Sequence, residues 1–272
     1  MAQFQPNVIN GTGGWSGFSQ EPKKFTEAVN GVAMQYLDTG NPIYAQDAIK
    51  NLRRFADADA FRLTGKTNAS SYAAGQVTQF LLPAWQVLLT YPNMNADDKV
   101  TIEPWLLRMV SRTQQERPDR NNRNTSKAMT RVFAGAIFNR KYWFESGVRD
   151  GYYDQIDQLR PDGSFPFETA RGQWGVVYQS RNIAHLLTIA EAARNQGVDL
   201  YSYAPNGVSI HDAIRFMIAA NDDNSLIDGY AYRRRSVFNS SACGQQFTHC
   251  VDLVVGHLTW PTADPSLRSS RL

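Results

Sequence analysis

Apolar positions recur along most of this chain at three- and four-residue intervals, the spacing that keeps them on one face of an α-helix. "FTEAVNGVAMQYL" puts Phe25, Val29, Val32, Ala33 and Tyr36 on one side, and "IYAQDAIKNLRRFADADAF" does the same with Ala45, Ala48, Leu52, Phe55 and Ala56. The same rhythm predicts helices over roughly 68–91, 96–116, 125–140, 141–158, 168–196 and 209–221, and alternating strand patterns are scarce. Breakers stand between them: "TGNP" (39–42), "YPNMNADD" (91–98), "RPDRNN" (117–122), "RPDGSFPF" (160–167) and "YAPNG" (203–207). Short connections make successive helices antiparallel neighbours, so the pattern predicts one all-α domain over residues 21–260. A Gly-, Asn- and Gln-rich arm (1–20) precedes it and a tail (261–272) follows. "YAYRRRSVF", after Asp222, reads equally as strand or loop.

Composition fits that picture. At 272 residues, 42% hydrophobic and 12% aromatic, the chain can bury a substantial core. Its net charge is only +3, yet 21 Arg stand against 7 Lys, and the guanidinium is the group that grips carboxylate or phosphate with a planar fork. A polyanionic partner is one reading; Arg-rich base composition is the other. No basic stripe interleaved with aromatics points to nucleic acid, and "RRR" (233–235) suits a solvated loop. No apolar run reaches the ~20 residues of a membrane span. The start "MAQFQPNVINGTGG" lacks the basic and apolar regions of an export signal.

Several motifs fail on spacing. "LTGKT" (63–67) needs a glycine at position 60 to be a phosphate loop, and Ala60 is there. His185, His211, His249 and His257 form no metalloprotease pair, and Cys243, His249, Cys250 and His257 lack zinc-site spacing. Neither a metal nor a cofactor is expected. Two cysteines are too few for a disulfide framework, though one bridge across "CGQQFTHC" stays open.

Two stretches carry more chemistry. Asn121, Asn122, Arg123 and Asn124 precede a predicted helix, a density of hydrogen-bond donors that suits an anion, helped by the helix N-terminus. In "PFETARGQWGVVYQSRNIAHLL" (166–187), a continuous helix would align Arg171, Trp174, Tyr178 and His185 on one stripe. Val176, Ile183, Leu187 and Ala190 would form a core-like stripe opposite, and Ile189 hints at partial burial of the polar side. That side either lines a cleft or ties neighbouring helices together.

"LTGKTNASSYAAG" (63–75), "RNNRN" (120–124), "DQIDQLRPDGSFPFETARGQWGVVYQ" (154–179) and "ARNQGVDLYSY" (193–203) resemble, in order and spacing, the alginate lyase family of polysaccharide lyases. The likeness covers about half the chain. It implies an incomplete (α/α) toroid of helical hairpins with a deep cleft, and metal-independent β-elimination of polyuronates in the periplasm or outside the cell. Asn122 matches the family's carboxylate-binding Asn, Arg171 its Arg and Tyr178 its Tyr. Arg123 stands where the family has a catalytic His, and the family's N-terminal Lys has no counterpart at Lys23 or Lys24.

The chemistry can be built without the histidine. A uronate's C5 proton becomes removable once donors neutralise the adjacent carboxylate, a task for Asn122, Arg171 and Arg123. In β-mannuronate and β-glucuronate H5 and O4 share a face, so one group can act as base and then acid. Tyr178 suits both tasks if guanidinium charge stands beside it, since opposite charge favours the phenolate. Lys66, Trp174, Arg181 and His185 are the expected contacts to flanking sugars. The expected partner is an anionic polysaccharide, met by a monomer without nucleic acid or membrane. Two alternatives remain: a non-catalytic polyuronate binder, or a hydrolase using Glu168 and Asp162, for which Glu168 as a mere helix cap is the plainer account.

Overall fold

A computed structural model describes residues 20–61, 68–113 and 120–230. The chain divides into two compact units, residues 1–117 and 118–272. Among the described residues every regular element is helical, as the apolar period predicts.

The first unit holds α1 (Gln20–Thr39), α2 (Pro42–Asp57), α3 (Asn68–Leu88) and α4 (Ala96–Thr113). Gly40, with φ of 66°, closes α1 in the left-handed region that favours glycine. The next residue, Asn41, caps α2 by accepting the Ile43 N–H at 3.1 Å, and Pro42 takes the first helical position. α1 packs on α2 and α3, and α4 on α2 and α3. Leu52, Leu81, Leu82, Trp85, Leu88, Trp105 and Leu106 are buried between them. The Trp105 indole N–H satisfies the Ala60 carbonyl at 3.0 Å, so the ring is buried without an orphaned donor.

The second unit begins with α5 (Asn122–Ile137). A continuous helical stretch follows: α6 (Lys141–Gly147), a π-helical turn (Val148–Tyr153) and α7 (Asp154–Ile156). α5 lies directly against it. A Cβ on Gly151 would stand 2.4 Å from the Ala128 Cβ, and one on Gly135 2.5 Å from the Phe144 backbone nitrogen. Only glycine permits that approach.

The expected helix over 168–196 is interrupted. α8 (Pro166–Thr169) ends, a 3₁₀ turn (Gly172–Trp174) intervenes, and α9 (Gly175–Asn195) starts afresh. Gly172 takes φ of 63°, a conformation that a continuing α-helix excludes. α9 is buried almost all round, with Val176, Ile183, Leu186, Ile189 and Ala190 inaccessible. It packs on α5 and on α10 (Ile210–Asp222), which a Ser209–Asp212 capping box starts and the short α11 (Ser225–Asp228) follows. Leu187, expected in the core stripe, is only half-buried, and Ile189 is fully buried.

Residues 1–19 of the N-terminal arm, Lys66, the Arg233–Arg235 run, both cysteines, His249, His257 and the tail lie outside the described residues.

Candidate functional site

The Asn-rich run before α5 splits into separate tasks. Asn121 is the N-cap, its Oδ1 accepting the Arg123 N–H at 3.0 Å. Asn124 turns inward and donates to the carbonyl of Asp150, within the π-helical turn, at 2.8 Å. Arg123 is half-buried on the first turn of α5. Asn122 is 5% exposed and draws the polar cluster together.

Three groups meet Asn122. Its backbone N–H donates to Oε1 of Glu168 in a short hydrogen bond. Its side-chain Oδ1 accepts from Arg171 Nη1 at 3.2 Å, which leaves the amide NH₂ as the group it can offer a ligand. Its backbone also faces the His185 ring, whose protonation equilibrium it influences. Arg171 in turn reaches Glu168 Oε2 at 3.5 Å, and its Cζ lies 3.3 Å from the centre of the Tyr178 ring. Arg181 stands 5.8 Å from the same centre. Asn122, Glu168, Arg171, Tyr178 and His185 thus form one contiguous set.

Two members carry shifted protonation equilibria. Glu168 is wholly buried, and desolvation lifts its carboxyl to about 7 against the pull of the Asn122 N–H and Arg171. Burial presses His185 down to about 4, the Arg181 charge adding to the effect, so the imidazole is neutral at neutral pH. Its Nδ1 is buried without a hydrogen-bond partner among the described residues.

A second layer holds the loop that carries Glu168 and Arg171. Gln179 is buried on α9, accepts the Phe165 N–H at 3.0 Å and donates to the Gly163 carbonyl at 3.3 Å. Arg160 bridges Ser164 and Thr169 at 3.0 and 2.9 Å while stacked 4.0 Å from the Tyr230 ring centre. Asp162 accepts the Ser164 N–H at 2.9 Å and the Tyr230 hydroxyl at 2.6 Å. Its carboxylate therefore braces the turn, an employment that gives no support to a hydrolytic pair with Glu168.

The expected residues are accounted for as follows. Asn122, Arg171, Tyr178, Arg181 and His185 come together, although Arg171 and Trp174 lie before α9 rather than on it. Trp174, in the 3₁₀ turn, is 52% exposed. Glu168 was foreseen only as a helix cap or hydrolytic acid. Its true partners are Asn122 and Arg171. Among the described residues no cluster of three His, Cys, Asp or Glu side chains suits a metal, and no helix is long and apolar enough to cross a membrane.

Comparisons with known proteins bear on the family and the fold. A polysaccharide lyase of Stenotrophomonas maltophilia (strain K279a) is 27% identical over 61% of this chain and 52% of its own length. The chain spans about half the length of the curated relatives it matches. The crystal structure of alginate lyase A1-III from Sphingomonas species A1 superposes with a TM-score of 0.81 over 97% of this chain and 81% of that one, at 24% identity, which makes the fold an (α/α) toroid. A tyrosine-to-phenylalanine variant of alginate lyase A1-III, complexed with tetrasaccharide, gives a TM-score of 0.74 at 26% identity, over 79% of this chain and 64% of that one. The profile of the family described as Alginate lyase matches residues 6–227, well over half the sequence, and the chain belongs to the alginate lyase family.

Proposed function

We propose that the chain is a polysaccharide lyase that cleaves a polyuronate, poly-β-D-mannuronate or poly-β-D-glucuronate, by syn β-elimination without a metal. The observation that carries this reading is the placement of Arg171, which bonds the Asn122 amide and stacks on the Tyr178 ring at once. Charge neutralisation and proton transfer are thereby joined in one unit. The tetrasaccharide held by related alginate lyase structures supports a saccharide ligand for this site.

In the proposed reaction the uronate carboxylate is met by the Asn122 NH₂ and by guanidinium N–H groups of Arg171 and Arg123. These donors favour the enolate-like form that develops when H5 leaves. Tyr178 takes H5 onto its phenolic oxygen as general base and is then the phenol. It then returns that proton to O4 as the C4–O4 bond breaks and the C4–C5 double bond forms. Proton and electron pair balance within the site. Trp174, Arg181, Lys66 and His185 are assigned to flanking sugars, His185 as a neutral ring. We place the enzyme, a monomer, in the periplasm or outside the cell.

One observation favours a second reading. Position 123 carries Arg where the family has its catalytic histidine, so a polyuronate-binding protein without turnover would look much the same. Ultraviolet detection of unsaturated uronate on polymannuronate, polyguluronate and polyglucuronate separates the two. Product from mannuronate or glucuronate that vanishes in Tyr178→Phe supports elimination; binding without product on all three supports the second reading.

A further inference from the structure

Glu168 is a buried carboxyl at the site that the proposed elimination leaves without a task. It sits at 0% exposure on a helix of four residues, too short to need a carboxylate for its own sake. Removing a carboxylate from water costs several kcal/mol by general estimates, and one guanidinium contact at 3.5 Å recovers only part of that. A glutamine or a backbone carbonyl would satisfy the Asn122 N–H without that penalty. What only a charge adds is a hold on Arg171.

We propose that Glu168 is a positioning residue for the elimination: one oxygen fixes the first N–H of α5 at Asn122 and the other holds Arg171, so that amide and guanidinium meet the uronate carboxylate as a preset pair. This rests on the lyase reading above. The three contacts close a triangle, Glu168 to Asn122, Glu168 to Arg171 and Arg171 to Asn122, which ties the start of α5 to the loop that carries Glu168 and Arg171. Without the carboxylate, Arg171 keeps its stack on Tyr178 and the Asn122 amide but loses the contact that sets its reach. Misplacement by ~1 Å is enough to cost about 100-fold in rate.

The hold depends on ionisation, and the surroundings identify the group that titrates. Arg171 faces Glu168 from the loop, Tyr178 lies behind Arg171 on α9, and His185, kept neutral, meets Asn122 on the far side. Arg160 reaches the neighbouring Thr169. Glu168, lifted to about 7, is the member that changes charge near neutrality.

The test compares wild type, Glu168→Gln and Glu168→Asp on polymannuronate and polyglucuronate across neutral pH, with thermal melts alongside. Glu168→Gln keeps the acceptor for Asn122 and removes the charge. Its kcat is expected to fall about 10- to 100-fold, with the rise in wild-type rate through pH ~7 abolished and the melting temperature not lowered. Glu168→Asp should be slow yet keep the rise. A Glu168→Gln enzyme with wild-type kcat and an unchanged pH profile overturns the proposal. Should that variant fail to fold, the wild-type profile decides, and a rate flat through neutrality is the adverse result. If wild type yields no product at all, the lyase reading fails and Glu168 is judged on calorimetric binding of a mannuronate tetrasaccharide. Weaker binding in Glu168→Gln then supports the positioning role, and equal binding overturns it.

Discussion

The two units place their polar side chains differently. In the first, charge lies at the surface: Arg53 meets Asp57, Asp97 and Asp98, and Arg108 meets Asp59. Two of its buried polar side chains turn back on their own helices, Thr78 to the Ala74 carbonyl at 2.6 Å and Asn51 to that of Asp47 at 2.8 Å. In the second, some buried hydroxyls also turn back on their own helices, but a set of buried polar groups around the candidate site joins different elements. Thr125 on α5 donates to Asn182 on α9, and Asn182 donates to Gln155 on α7, at 2.6 and 2.8 Å. Glu168 and Gln179 make further joins of the same kind. A polar bond within one helix says nothing about where that helix sits, whereas one between elements fixes their relation and is costly if left incomplete. Positional accuracy is built into the second unit, where the candidate site lies.

The sharpest use of that contrast is a residue in the second unit that the network does not need. Tyr178 is half-buried, with the guanidinium groups of Arg171 and Arg181 against its ring. Tyr178→Phe should lower unsaturated-uronate production by ~1,000-fold, the scale of a lost general acid–base. The melting temperature should stay put. A phenylalanine variant that turns over normally would move proton transfer to another group and break the link between polar burial and chemistry.

A paired stability measurement comes next. Asn182→Ala strands the Thr125 hydroxyl and the Gln155 amide inside the second unit, with an expected loss of about 2–4 kcal/mol in denaturant unfolding. Thr78→Val in the first unit removes an equally buried hydroxyl whose acceptor is already in its helix, and should cost about 1 kcal/mol or less. Equal losses would erase the distinction between bonds within a helix and bonds between elements.

Acid and base titrations sharpen it further, because Glu168 and His185 pull in opposite directions. Glu168 rises from 4.5 to about 7 on folding, so its contribution is intact below pH ~4.5 and is lost as pH climbs through ~7. His185 falls from 6.5 to about 4, so its contribution is intact above pH ~6.5 and is lost as pH drops through ~4. Each amounts to roughly 3 kcal/mol, and the slopes offset one another where the windows overlap. Glu168→Gln should expose the acid loss, and His185→Leu the loss on the alkaline side. Melting curves from pH ~4 to ~8 check both slopes.

Much of the fold was legible because apolar residues at helical spacing leave few alternatives. The break before α9 was not. Arg171, Trp174 and Tyr178 sit three, four and seven apart, which imitates helix periodicity, and Gly172 was the one local sign of a turn. The meeting of Asn122, Arg171 and Tyr178 could be read only through family likeness, since Asn122 lies 49 residues from Arg171. Glu168 escaped because an acid in the first turn after Pro166 is ordinary helix chemistry. Its burial is set by Asn122, 46 residues away, and nothing local announces it. The Asn-rich run was read as a single anion cradle, yet Asn121 is a cap and Asn124 an internal brace.

The smallest effect is expected where the charges look most impressive. Arg53 reaches three carboxylates within 3.2 Å, and its guanidinium pKa is raised chiefly by Asp97 and then by Asp57. All of this lies against water, where the attraction is screened and ordering long side chains offsets much of what remains. Arg53→Ala should therefore leave the thermal midpoint unchanged within error, at low and high salt alike. A salt-sensitive loss as large as that of Asn182→Ala would mean that surface charge anchors the first unit as firmly as buried amides anchor the second, and the contrast between them would fail.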